Sequence, residues 1–133
     1  MIHDTPQAVL DEFDREISGD DPDAMTRLFT SDGQLLFANN EPAIGHSAIR
    51  DYWAPIFTAN ITTDAWMDCP TVDVHGSQAY ALCTYAETVR PRAGGPARRL
   101  HGRAVFFLRR EVAAGWRISV ALNSPSRPAE EVP

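Results

Sequence analysis

His101 and Arg103 stand two residues apart in an apolar, strand-like segment, a spacing that turns both side chains to one face. A histidine there can shuttle a proton near neutral pH, and the arginine beside it can hold a carboxylate or an enolate oxygen. Asp64, Trp66 and Asp68 repeat the pattern on another segment, again on one parity. An indole next to Asp68 would raise that carboxyl toward neutrality, where a general acid or base works best. His101 and Asp68 are therefore the candidate catalytic residues, with Arg103, Asp64 and Trp66 as candidate substrate contacts. Thr84, Tyr80 and Tyr85 offer hydroxyls that could orient a ligand, with core or interface packing as the plainer reading, and Trp53, Phe37 and Phe13 are candidate walls of a pocket. The plainer readings are a solvated sheet rim for the two aspartates and a cross-strand salt bridge for His101 and Arg103.

The rest of the composition removes whole classes of chemistry. All 12 basic residues are arginine, so neither a Schiff-base lysine nor a phosphate-loop lysine exists. His3, His46, His75 and His101 show no paired metal-ligand spacing, and neither a Gly-rich phosphate loop nor a GxSxG elbow occurs. The expectation is cofactor-independent action and no metal. The net charge of -6 argues against nucleic acid, although residues 90–110 hold seven arginines and no acid. These read first as a solvated hairpin face, with a patch for an anionic ligand or partner as the alternative. No apolar run approaches the roughly 20 residues of a membrane span. The acidic start MIHDTPQAVLDEFD shows no signal peptide, so a cytoplasmic location is expected. Cys69 and Cys83 are read as small core residues rather than a disulfide framework.

At 133 residues the chain fits one domain, taken as 1–124, followed by a loose tail over 125–133 that carries three prolines. Thr5-Pro6 and Asp21-Pro22 are helix starts. Val9, Leu10, Phe13 and Ile17 make the first apolar stripe, and Ala24, Met25, Leu28 and Phe29 the second. Ser31-Asp32-Gly33 reads as a turn, Gln34 to Ala38 as a strand, and Asn39 to Gly45 as a loop. Ile49, Trp53, Ile56 and Phe57 mark a third helix that Pro55 should bend or end. From Ile61 the period changes to two, giving four strands over 61–74, 78–89, 100–110 and 116–123. Helices placed before a mostly antiparallel sheet define an α+β layout, and the order from Asp21 to Trp53 points to a small cone with a pocket.

Gly19-Asp20, Leu28-Phe29 with Asp32, Gly45 with Ala48-Ile49-Arg50, Pro70 with Val72, Val74 and Gly76, Ala79, and Trp116 with Ile118 and Ser124 follow in an order and spacing that resembles the NTF2-like superfamily. The resemblance is to its SnoaL-like and ketosteroid-isomerase-like branch, and the chain is similar too to the calcium/calmodulin-dependent kinase II association domain. It implies a cone-shaped fold, three N-terminal helices packed on a strongly curved sheet, and a homodimer formed through the sheet's outer face. It also implies a small, largely apolar organic ligand and a reaction such as isomerisation, cyclisation or dehydration. A non-catalytic ligand-binding or oligomer-assembly domain is the alternative. The isomerase constellation is missing: Phe37 stands at the base position, Phe13 or Glu12 at the helix tyrosine, and Arg103 or Ala104 at the strand acid. Val105 stands where a limonene-type epoxide hydrolase would want an aspartate.

Overall fold

A computed structural model describes residues 2–38 and 40–133, in the order α1 (Pro6–Ile17), α2 (Pro22–Thr26), β1 (Phe29–Phe37), β2 (Ala43–Ile44), α3 (His46–Ala59), β3 (Asn60–His75), β4 (Gln78–Pro91), β5 (Ala97–Glu111), β6 (Gly115–Pro125) and β7 (Glu130–Val132). The expected loop from Asn39 to Gly45 lies in part outside the described residues; its end is the short strand β2. Each of the first two helices starts on the cap that its sequence announces. Thr5 Oγ1 accepts the Ala8 N–H at 3.1 Å, and Asp21 Oδ1 accepts those of Asp23 and Ala24 at 3.0 and 3.1 Å. Helix α3 starts instead on Gly45, whose φ of 88° suits glycine and lets the chain turn sharply out of β2. Pro55 does not end α3, which runs on to Ala59. Both Pro55 and Asp51, whose carbonyl loses a partner, are exposed, so water can take the place of the missing N–H.

The seven-stranded sheet runs β2-β1-β6-β5-β4-β3, with only β1 and β6 parallel. Strand β1 begins at Phe29, well before Gln34, because Phe29 is buried and pairs with Ile118; the expected turn at Ser31–Gly33 is a register shift inside the strand. The proline-bearing tail does not hang loose. Glu130 and Glu131 fall opposite Arg99 and Arg98, and β7 takes up the stretch of β5 that β6 has left. Several arginines of the hairpin are engaged by hydrogen bonds within the chain. Arg109 donates to Asp32 at 2.7 Å, Arg90 to the Pro133 carbonyl at 3.2 Å, and Arg99 to the Asp64 carbonyl at 2.7 Å.

Two irregularities in β3 decide which way its side chains point. Asp64 and Ala65 together oppose Glu87, and Cys69 and Pro70 together oppose Cys83, so the strand exchanges its inner and outer parity twice. Asp64 has a φ of 51°, which an aspartate tolerates at such a bulge. The second bulge sets Cys69 against Cys83 with Cα atoms 4.1 Å apart, and the two form a disulfide. This overturns the reading of two separate core thiols: without the bulge the hairpin register would face Cys69 toward Thr84.

The inner face of the sheet carries Ala79, Ala81, Cys83, Ala104, Phe106, Leu108 and Ile118, all buried beneath α1 and α3. Small residues on β4 let the helices approach, while Phe13 meets Phe106 edge to face at 5.1 Å between ring centres. The outer face has no such cover. Leu82, Val105, Leu122 and Leu36 stand in one cross-strand row, and Phe107 and Val120 in the next. Leu82, Phe107 and Leu122 remain 44%, 48% and 40% exposed.

Candidate active site

Between α1, α3 and the sheet lies a cavity of about 280 Å³. Its walls are mainly Phe13, Ile17, Phe37, Tyr52, Trp53, Ile56, Phe57, Met67, Val89, Leu100 and Phe106. The aromatics hold one another open rather than filling the space: Trp53 stacks on Phe57 at 5.5 Å and meets Tyr52 and Phe37 edge-on at 5.1 and 5.8 Å. Polar ends come into this apolar surface from several elements, among them Asp14 from α1, Tyr52 from α3, Thr62 from β3, Tyr85 and Glu87 from β4, and Asn123 from β6.

Tyr85 and Glu87 share the inner parity with Ala81 and Cys83, which is why an acid is carried beneath the helices. Burial pushes the Glu87 carboxyl above the ordinary glutamate value; the Asp14 charge pushes the same way, and Arg99 opposes both. Asp14 is also raised by burial, against a hydrogen bond from the Met67 backbone N–H that favours its charged form. The cavity thus holds two carboxyl groups whose hold on a proton burial has strengthened, and Glu87 also feels the Asp14 charge. Tyr52 is pushed up to about 12 by burial, with the Glu87 and Tyr85 charges adding to the effect. The Tyr85 phenol is raised by burial and by Glu87, while Asn123 works against that shift. Tyr85 can reach across β5 only because its opposite residue is Gly102: a Cβ there would overlap the phenol ring.

The residues singled out from sequence divide in two. Phe13, Phe37, Trp53 and Trp66 border the cavity. His101, Arg103, Asp68, Asp64, Thr84 and Tyr80 do not. The odd positions of β5 face outward, since the helices need the small and apolar even positions Gly102, Ala104 and Phe106, and an unpaired Arg103 beneath them would be costly. Asp68, Thr84 and Arg103 do come together, on one cross-strand row of the outer face. His101 Nε2 lies 2.6 Å from Arg127 Nη2, and Tyr80 bonds Asp73. Asp64 falls on the first bulge, outside the alternation that joined it to Asp68. Tyr85, whose hydroxyl the sequence offered for orienting a ligand, does line the cavity, and the residues that sequence reasoning passed over are Asp14, Glu87, Tyr52 and Asn123. The run Ala79-Ala81-Cys83 of small residues was the usable signal, because it marks the odd parity of β4 as the packed face and so carries Tyr85 and Glu87 inward.

Among the described residues, no three His, Cys, Asp or Glu side chains are grouped to hold a metal ion, and no helix is long and apolar enough to cross a membrane.

A curved, unclosed sheet wrapped around an aromatic cavity and lidded by helices is the cone of the NTF2-like proteins. The same fold is seen in an NTF2-like superfamily protein from Salmonella enterica serovar Typhimurium, with a TM-score of 0.77, 17% identity and coverage of 90% of this chain and 87% of that one. A ketosteroid isomerase-like protein from Erwinia carotovora atroseptica superposes with a TM-score of 0.83 at 18% identity, over 92% of this chain and 94% of its own. A type 2 hexachlorocyclohexane dehydrochlorinase does so with a TM-score of 0.82 at 8% identity, over 96% and 86%. Within that class the chain belongs to the SnoaL-like domain family, whose model matches residues 7–121. No curated protein matches it.

Proposed function

We propose that this domain binds a small, largely apolar organic molecule in its aromatic cavity and moves a proton on it through Glu87, with Asp14 as the neighbouring acid. The reaction class is a cofactor-independent isomerisation, cyclisation or dehydration. The observation that supports this reading is the pair of carboxyl groups raised by burial in an otherwise apolar enclosure. A carboxyl shifted toward working pH can both accept and return a proton, and enclosure supplies orientation and desolvation. At about 280 Å³ the cavity suits a mono- or bicyclic molecule. The test is the titration of Glu87, followed by its side-chain carboxyl carbon in a glutamate-labelled protein. A midpoint above the ordinary 4.5 is expected. A midpoint at or below it would leave a binding domain without this chemistry.

We also infer that two copies pair through the outer sheet face, an arrangement supported by the apolar rows around Leu82, Phe107 and Leu122. Phe107→Asp should shift the species measured by light scattering from dimer to monomer at micromolar concentration. A wild-type protein that is monomeric throughout would refute the pairing.

A further inference from the structure

The orientation of one amide fixes what the cavity can recognise. Asn123 Oδ1 accepts the Ala38 backbone N–H at 3.2 Å, and a backbone N–H can only donate. The amide is therefore not free to flip, and its Nδ2 must be the end that faces Tyr85, donating to the phenol oxygen at 3.1 Å. Tyr85 is thereby cast as an acceptor from Asn123, and among the described residues its own hydroxyl donates to nothing. Trp53 adds a second donor: only 4% exposed, it has an Nε1–H that meets no acceptor among the described residues. A buried N–H without a partner costs free energy until a ligand atom satisfies it. Both residues line the cavity, and Phe37 connects them: it pairs with Asn123 and lies ring to ring with Trp53 at 5.8 Å. Asn123 Oδ1 and the Tyr85 oxygen each already accept one hydrogen bond, so the groups left unpaired among these are the hydroxyl hydrogen of Tyr85 and the indole hydrogen of Trp53.

We propose that Asn123 is a positioning residue that aims the Tyr85 hydroxyl into the cavity, and that the ligand is a cyclic molecule bearing an oxygen acceptor, a carbonyl or an oxyanion, at the Tyr85–Trp53 wall. This rests on the reading that the cavity binds a small apolar molecule, and it selects within that class by polarity. A ligand that presents a bare hydrocarbon edge or an N–H donor there leaves the donors unpaired. With the acids Asp14 and Glu87 also lining the cavity, such a ligand would meet donors at its oxygen and an acid near its ring.

Two probes of matched shape test this, 2-acetylnaphthalene with a carbonyl and 2-ethylnaphthalene without one, their affinities measured by fluorescence titration at pH 8. The wild-type protein is expected to prefer the ketone by about tenfold or more, and the carbonyl stretch of the bound ketone should move to lower frequency in the infrared. Tyr85→Phe should remove both effects while 2-ethylnaphthalene binds as before. Asn123→Asp keeps the acceptor for Ala38 but now also accepts from Tyr85, turning the phenol proton away from the cavity; it too should abolish the preference and the infrared shift. Equal binding of the two probes by the wild type would overturn the proposal while leaving the cavity reading intact. A preference that survives Asn123→Asp would overturn the positioning role. Binding of neither probe would remove the cavity reading and this proposal with it.

Discussion

Breaking the Cys69–Cys83 bond should lower the unfolding midpoint by about 10 °C. The bond closes a segment with a sequence separation of 14, and a loop of that length corresponds to about 3 kcal/mol in the chain-entropy account, which is roughly that shift for a domain of this size. Thermal scans with and without dithiothreitol measure it directly. A Cys69→Ala, Cys83→Ala double variant should start from the lower midpoint and show no response to reductant. An unchanged midpoint in protein shown by thiol labelling to be fully reduced would sink the expectation. The effect should reach the cavity as well, because the crosslink pins the bulge two residues beyond Met67, whose N–H holds Asp14. Loosening it should let that hydrogen bond go and raise the Asp14 titration further, since the bond favours the charged form.

Replacement of Glu87 by glutamine should have opposite effects on activity and stability. Deuterium exchange into an enolisable bicyclic ketone such as 2-tetralone, followed by proton NMR, should slow by roughly 10²–10⁴-fold, the usual weight of a positioned acid or base. Folding should improve at the same time. The folded value of Glu87 lies above its unfolded value of 4.5, so between the two the folded state holds more protons. Its contribution to stability is therefore fully present below the unfolded value and is lost as pH rises through the folded one. Glutamine removes that loss, and a gain of about 0.5–2 kcal/mol is expected at pH 8, fading to nothing below about pH 4. A gain that persisted unchanged in acid would mean that packing, not charge, was responsible. Exchange at the wild-type rate would remove Glu87 from the chemistry.

The layout of this domain was readable because its helix caps and apolar periods are local. Thr5-Pro6 and Asp21-Pro22 start helices where they stand, and the stretch from Asn60 onward alternates as strands should. The SnoaL-like kinship was likewise carried by short spaced residues. The site was less legible because it depends on which parity of each strand faces inward, and that is a tertiary fact. On β5 the pair His101 and Arg103 looked suited to chemistry, yet the helices select the opposite face, where Gly102 and Ala104 leave room. On β3 simple alternation joined Asp64 to Asp68, whereas a bulge separates them, and a bulge has no dependable signature in one sequence. The disulfide was hidden by the same kind of one-residue offset. Glu87 was the recoverable miss, since it follows small inward residues in strict alternation on an unbroken strand.

Those bulges have another side. Strand β3 is 16 residues long and forms one border of the sheet, so it presents a row of unpaired peptide groups to any other chain that comes alongside. A straight edge of that length invites stacking into fibrils. Here the left-handed residue at Asp64, the proline at position 70 and the two shifts of register interrupt the row at intervals shorter than a typical aggregating segment of six or seven residues. The irregularities that shape the cavity wall also deny the molecule a template for uncontrolled self-association.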